Sequence, residues 1–323
     1  MNKSAIMPDI DQISRPPTRS QQLVDTAFRW LCYGFAWLSV LTVAFIVLEI
    51  AMNAVPAIRH YGPGFLVGTT WDPNTGQFGI LPEIWGLSEG FLAQAVYLAL
   101  KTFRLQLHPM LLKLPDRVEV LLKNLIELLA AIPSVVYGLW GLFVVIPFIR
   151  PACNWLNMKL GWIPLFGTTL TGPGVLPAVI VLSIMILPTI TAISRGALVA
   201  VPPKLRMAAY GMGATRWETI LAVILPTAFR GIVGAVVLAF GRALGETMAL
   251  AMLVGNANRI SVSLFSPANT LAALLANNFP EAAKKDVGVL MYAALVLLAI
   301  TLIVNIVGSL ILQRASAAQE GAK

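Results

Sequence analysis

The residues with the clearest chemical potential are Arg242 and Glu246, four positions apart in the apolar stretch 228–255. A guanidinium offers a planar fork of hydrogen-bond donors that suits phosphate and other oxyanions. A continuous helix from Ala228 would place Arg242 about 21 Å along its axis, near the middle of a bilayer. Either Arg242 attracts an anion within a membrane pathway while Glu246 tempers its potential, or the two charges form a self-neutralising pair that stabilises a helix bundle.

A second candidate site is the segment 198–226, which joins two apolar stretches. Pro202 and Pro203 favour a helix start, because a proline in the first turn loses no needed hydrogen bond. We expect a short helix, and Pro226 should end or bend the segment. The segment either docks into the groove of a partner protein or simply connects two spans along the bilayer surface. Small residues that would allow a close approach follow the two prolines; they are Ala208, Ala209, Gly211, Gly213 and Ala214.

The composition excludes an ordinary soluble protein, since 58% of the 323 residues are hydrophobic and only 12% are charged. A typical globular domain carries about 25% charged residues. Cys32 and Cys153 are too few for a disulfide scaffold or a four-thiolate zinc site, and His60 and His108 are too few for a histidine-rich metal centre. We therefore expect an integral membrane protein with no cofactor and no metal of its own.

Six apolar stretches are candidates for membrane spans, which need about 20 apolar residues each. They are 31–52, 84–100, 128–149, 162–194, 228–255 and 287–312. With both termini in the cytoplasm, the cytoplasmic segments hold 16 Lys and Arg residues and the outer segments hold 6, as the positive-inside rule requires. We predict an all-α membrane protein with six transmembrane helices over 31–314. A largely disordered cytoplasmic segment at 1–30 should precede this domain, and a cytoplasmic tail at 315–323 should follow it.

The segment 207–226 resembles the EAA loop of ABC importer permeases, Glu-Ala-Ala followed by Gly and later by Ile-x-Leu-Pro. Met207 stands where Glu is usual and Val223 where Ile is usual, while the spacing is kept. The loss of Glu removes one polar contact to the ATPase. In that family the loop forms a coupling helix seated in the nucleotide-binding subunit. The resemblance assigns this role to Met207, Ala208, Ala209, Gly213, Leu225 and Pro226.

Three further stretches, 70–86, 126–141 and 241–249, together resemble the PstC family of phosphate-specific permeases. This resemblance implies the MetI-like fold of type I ABC importers, inorganic phosphate as substrate, a bacterial inner-membrane location, and Arg242 and Glu246 in the substrate pathway. It also implies a second permease similar to PstA, two ATP-binding subunits similar to PstB and a periplasmic phosphate-binding protein similar to PstS. The chain has no Gly-x-x-x-x-Gly-Lys-[Ser/Thr] loop, so we expect no ATPase activity of its own.

Two alternatives remain open on the residues alone. The same architecture could serve another oxyanion such as sulfate or molybdate, or the chain could be a secondary transporter or a membrane-bound enzyme. The family pattern also fails abruptly between residues 87 and 115, in and after the weak second span, which contains Glu89. We interpret 87–115 as a possible out-of-frame translation, which retranslation of the DNA would test.

Overall fold

The computed structural model describes residues 18–88 and 116–320. Within these ranges, five helices are long and apolar enough to cross a membrane; they are Arg19–Tyr61, Ser134–Leu160, Val175–Val199, Arg216–Leu244 and Asp286–Leu310. The second predicted span, 84–100, and the suspect stretch 87–115 lie almost wholly outside the described residues, so both stay predictions. The chain divides into two compact units, Met1–Met52 and Asn53–Lys323.

The described part of the first unit is a single helix. Helix α1 spans Arg19–Tyr61 and contains the predicted span 31–52. Residues 19–30 are helical, so the expectation of a largely disordered segment is wrong for them, while residues 1–17 lie outside the described part. Apolar side chains of the unit are exposed, as lipid contact requires. The hydroxyls of Ser39 and Thr42 donate to the carbonyls of Phe35 and Leu38 in their own helix, so neither needs water.

Short elements follow α1 in the second unit. They are helix α2 at Gly64–Val67, strands β1 at Trp71–Asp72 and β2 at Gln77–Phe78, and helix α3 at 81–88. The strands pair antiparallel, with Trp71 opposite Phe78. The Asp72 carboxylate accepts hydrogen bonds from the Asn74 amide and the Thr75 hydroxyl, both at 2.9 Å, and these bonds lower its pKa. Local hydrogen bonds therefore shape the turn between the strands, while Phe65 and Phe78 pack with distant residues such as Tyr292 in a second apolar cluster.

The third predicted span starts too early. Helix α4 covers Asp116–Ala131, and helix α5 covers Ser134–Leu160 with a π-helical turn at Gly141–Val145. Residues 132–133 are not helical, because Pro133 has no amide hydrogen and adopts an extended ψ of 142°. The prediction of one helix through 128–149, bent at Pro133, is therefore wrong. The Tyr137 hydroxyl crosses the gap and donates to the Leu129 carbonyl at 2.8 Å.

The fourth predicted span is confirmed in its apolar centre, and the fifth is interrupted. Helix α6 covers Val175–Val199, helix α7 covers Pro203–Gly211 and helix α8 covers Arg216–Leu244. After α8 the chain is non-helical at 245–247 and then forms the short helix α9, Met248–Leu253. The prediction of one continuous helix through 228–255 is therefore wrong.

Two more helices complete the second unit. Helix α10 covers Leu271–Asn278, and helix α11 covers Lys284–Glu320, which contains the predicted span 287–312. Residues 315–320 continue α11 where we predicted a separate tail. Helix α6 lies at the centre of the main apolar cluster and packs against α4, α5, α8 and α9. The most buried members of the cluster are Val181, Ile186, Ala239, Leu253 and Ala273. The helix that runs through the centre of this bundle is thus also the helix that leads into the cytoplasmic loop of the predicted topology.

Candidate functional sites: the loop around α7 and the break after α8

The loop around α7 is shaped by its prolines and glycines. Pro202 is extended and Pro203 begins α7, as the sequence predicted. At the other end, the Gly213 amide donates to the Tyr210 carbonyl and the Ala214 amide to the Ala209 carbonyl, both at 3.0 Å. These two bonds form a Schellman motif, which needs a left-handed residue at Gly213, where φ is +84°. Gly213 therefore has a conformational role that small size alone did not indicate.

A capping box begins α8 directly after this motif. The Glu218 amide donates to the Thr215 hydroxyl oxygen at 3.3 Å, and the Thr215 amide donates to the Glu218 carboxylate at 2.7 Å. The two residues satisfy one another's free amide groups and fix where α8 starts. Sequence analysis missed this pair, although Thr followed three residues later by Glu is its usual signature.

The predicted coupling residues do not share one environment. Met207, Ala208 and Gly213 are exposed, with 64% of Met207 accessible, whereas Ala209 is buried and points into the bundle. Exposed apolar side chains surround the small ones on the same loop; they are Leu205, Tyr210, Met212, Trp217 and Leu221. The loop thus presents an apolar surface that is formed by large apolar side chains together with the small residues.

Leu225 and Pro226 belong to helix α8 and are half-buried. The helix continues through Pro226, so the proline does not end the segment; the alternative, that it bends the segment, stays a prediction. A π-helical turn at Thr219–Ile224 precedes the proline. Such a turn uses hydrogen bonds to the fifth residue, and it accommodates the missing amide hydrogen of Pro226 within one helix. Under the loop, Leu198, Val201, Ile220, Ile224 and Ala228 form a separate apolar cluster.

Arg242 and Glu246 lie on either side of the break after α8. Arg242 is exposed in the last turn of α8, and Gly245 ends the helix with φ of −90°. Glu246 is therefore outside the helix, and its carboxylate accepts the Ala249 amide at 3.4 Å. Both residues are described, and no ion pair joins them. The expectation that they stack one turn apart on one helix is wrong, because the helix ends between them.

The depth of the break follows from the packing of α8 on α11. A side chain at Gly241 would meet the Asn305 side chain, and a side chain at Gly308 would meet Val237 at 2.5 Å. These contacts show that the two helices are antiparallel. Asn305, opposite Gly241, lies about 10 Å along the axis from the middle of the span Asp286–Leu310. The break therefore lies within the apolar layer of about 30 Å. Gly241 thus allows close packing of the two helices, whereas a side chain at Gly245 would meet little.

Glu83 is a buried ionisable residue that was not among the predicted site residues. Its side chain is fully buried in α3, and neither carboxylate oxygen has a hydrogen-bond partner within the described residues. Gly86, one turn later, lies tightly against the Asn269 carbonyl. A glutamate in the sequence FGILPEIWG gives no sign of burial, because the neighbouring segment that covers it, around Asn269, is far away in the chain.

Comparison with known families identifies the chain. Residues 110–317 match the family model described as "Binding-protein-dependent transport system inner membrane component". The chain belongs to this family. Its curated relatives include the phosphate transport system permease protein PstC of Haemophilus influenzae, which is 37% identical over 91% of this chain and 95% of the relative. PstC of Xylella fastidiosa is 36% identical over 88% and 91%, and PstC of Mesorhizobium japonicum is 37% identical over 87% and 86%.

Solved structures give the same fold for this inner-membrane component. Inward-facing structures of the MetNI methionine ABC transporter match with TM-scores of 0.52 and 0.53 at 16% and 15% identity. They cover 73% and 76% of this chain and 95% and 99% of the solved chains. At such identity the likeness concerns the fold alone. The predicted all-α, multi-pass permease fold is confirmed.

Proposed function

We propose that the chain is the membrane permease subunit of an ATP-driven importer that moves inorganic phosphate across the bacterial inner membrane. The observation that carries this proposal is the break after α8, which puts the exposed Arg242 inside the apolar layer. A charge facing lipid there costs about 2.5–3.5 kcal/mol or more. Arg242 therefore faces a polar path or a partner subunit. The PstC names of the relatives support phosphate as the anion that this arginine serves.

Arg242 and Glu246 form the substrate pathway in this proposal. Helix interruptions at the level of the bilayer middle are where transporters of several folds bind their substrates. Arg242 attracts the anion with its planar fork of donors. Glu246 carries an opposite charge close by in the chain without pairing with it, so it weakens the attraction enough for the anion to leave. The missing ion pair makes the alternative, a purely structural pair, less favourable.

The loop around α7 is the contact with the ATP-binding subunits. Its exposed surface combines Met207, Ala208 and Gly213 with apolar neighbours, and such a surface suits a groove in another protein. ATP hydrolysis occurs in those partners, which we expect to be two PstB-like subunits. A PstA-like second permease completes the membrane part, and a PstS-like periplasmic protein delivers phosphate. Both termini of this chain are cytoplasmic in this arrangement.

The experiment is uptake of labelled phosphate into proteoliposomes that contain the whole complex. We expect uptake to need ATP and the binding protein, and an excess of sulfate or molybdate should not compete. Arg242→Gln should abolish uptake, whereas Arg259→Gln, which removes an equally exposed arginine outside the helices, should not. Competition by sulfate would point to another oxyanion, and uptake without ATP would point to a secondary transporter.

A further inference from the structure

Helices α6 and α7 are separated by residues 200–202, and Pro202 in this gap leaves one carbonyl of α6 without its usual partner. In a continuous helix, the Leu198 carbonyl would accept the amide of residue 202. Pro202 has no amide hydrogen, so this bond cannot form. The remaining backbone contacts come from the Val201 amide at 3.4 Å, which is long for a hydrogen bond, and from the Ala200 amide, which is shared with the Gly196 carbonyl. The last turn of α6 thus needs a donor from elsewhere.

Arg206 supplies that donor from α7. Its Nη2 donates to the Leu198 carbonyl at 3.0 Å, so the guanidinium bridges the two prolines. The positive charge also lies at the carboxyl end of α6, where the helix dipole favours a cation. The Nε atom is buried as well, with no hydrogen-bond partner within the described residues, so the guanidinium is held in place rather than reaching into solvent. A charge-assisted bond of this kind is among the stronger single contacts in a protein.

This bond ties the loop to the most central helix of the second unit. Leu198 is buried and packs with Ile220 and Ile224 beneath the loop. Roughly 24 Å further along α6, Leu182 lines a small cavity together with Ala243 and Leu244, the last residues of α8. Arg206 therefore joins α7 to the helix whose other half packs beside Arg242.

We infer that Arg206 is a positioning residue that couples movement of α7 to α6 during the transport cycle. This inference rests on the proposed function, in which α7 docks on the ATP-binding subunits. Two other connections join the loop to the bundle: the polypeptide chain at 200–202 and the apolar cluster beneath the loop. Neither fixes the orientation of α7 relative to α6 as a hydrogen bond does. The Arg206 bond is directional, so a displacement of α7 pulls on the end of α6 instead of sliding over it.

The test compares Arg206→Met, Arg206→Lys and Arg216→Met in the whole reconstituted complex. Arg216 is the matched control, because it is exposed in the first turn of α8 and its side chain makes no hydrogen bond or ion pair within the described residues. Three quantities are measured: co-purification of the ATP-binding subunits, phosphate moved per ATP hydrolysed, and hydrogen–deuterium exchange of the amides at 204–213.

We expect Arg206→Met to retain the ATP-binding subunits and their ATP hydrolysis, while phosphate moved per ATP falls about tenfold, as the loss of one charge-assisted bond predicts. Hydrogen–deuterium exchange at 204–213 should rise in Arg206→Met and not in Arg216→Met. Arg206→Lys keeps a charged hydrogen-bond donor, so its phosphate moved per ATP and its hydrogen–deuterium exchange should both lie close to those of the wild type.

Two results would overturn the inference. If Arg206→Met matches Arg216→Met in phosphate moved per ATP and in hydrogen–deuterium exchange, the hydrogen bond from Arg206 to Leu198 does not couple α7 to α6. If Arg206→Met loses the ATP-binding subunits, Arg206 is a docking contact and not a positioning residue. A wild-type complex that moves no phosphate would instead reject the proposed function, and the exchange measurement would then still decide whether Arg206 holds α7 to α6.

Discussion

The loop around α7 forms the junction between α6 and α8, and local helix caps determine its structure. The break after α8 is instead stabilised mainly by packing against other helices. At the junction, Pro203 starts α7, Gly213 ends it in a Schellman motif and Thr215 caps α8. At the break, the Thr247 side chain makes no capping hydrogen bond, and the Glu246 carboxylate makes only a long one, to the Ala249 amide at 3.4 Å. At the other end of α9, the Leu253 carbonyl accepts the Gly174 amide from a distant loop at 2.8 Å.

Helix α9, which follows the break, is also packed more tightly than the loop around α7. A side chain at Gly138 of α5 would meet Met252 of α9 at 2.8 Å, whereas a side chain at Gly213 would meet nothing within 4 Å. A locally capped segment keeps its shape when its surroundings move, so the junction can act as one body that docks and pulls. A segment held by packing changes when its neighbours move, which suits a site where access must alternate. The three predictions below test this contrast.

The largest effect is expected at the break. The double variant Arg242→Leu/Glu246→Leu should reach the membrane at the normal level, because no uncompensated charge remains in the apolar layer. Phosphate uptake, normalised to the amount of assembled complex, should fall to background because the path has lost its cation. The control Arg259→Leu/Glu281→Leu removes one charge of each sign from exposed positions elsewhere and should retain uptake. Near-normal uptake in the first variant would show that the two charges only balance one another.

An intermediate effect is expected at the junction. Gly213→Trp places a large side chain in a left-handed residue of the docking surface, at a strain cost of about 1–2 kcal/mol. We expect ATP hydrolysis to continue in the assembled complex while phosphate transport is lost. Gly213→Asn is the control, because asparagine tolerates the left-handed conformation and adds little bulk. Normal phosphate-stimulated hydrolysis and uptake in the tryptophan variant would rule out docking through this surface.

The contrast also explains which parts could be predicted from the sequence. Pro203 and the apolar residues of α6 carry their structural meaning in residue type and spacing, so the start of α7 and the apolar part of α6 were predicted. The six-span domain prediction depends on residues outside the described ranges and stays open, as do the roles of Arg242 and Glu246. The resemblance through the EAA loop supplied the family, which the comparisons confirmed.

The parts that sequence analysis missed depend on contacts between distant segments. Residues 241–249 include no proline, so the hydrophobic pattern favoured one helix through Gly245. The helix ends there because α9 packs into the core with Ala249, Leu250 and Leu253 buried. Burial of Glu83 beside Asn269 is likewise a tertiary feature. Pro133 was recognised, but its neighbours could not show that it separates two helices instead of bending one.

The smallest effects concern the glycines, and they separate local from packed control of the two interruptions. Gly308→Ala should lower the unfolding temperature most, because its Cβ would meet the stiff Val237 side chain at 2.5 Å. Overpacking of this kind costs about 1–3 kcal/mol. Gly241→Ala should cost less, since the Asn305 side chain at 2.7 Å can turn aside. Gly245→Ala should cost least, because φ of −90° suits any residue and its nearest neighbour is the Arg242 carbonyl at 3.8 Å.

Gly213→Ala completes this series as the local counterpart of Gly245→Ala. Both glycines end a helix on an open side, but only Gly213 has a positive φ, so alanine should be costlier there by about 1 kcal/mol. Thermal unfolding of the four alanine variants in one detergent, at one scan rate, gives the order directly. If Gly245→Ala proves as costly as Gly213→Ala, the break after α8 depends on its glycine as the junction does. Packing against α9 and α11 would then not be what ends the helix beside Arg242.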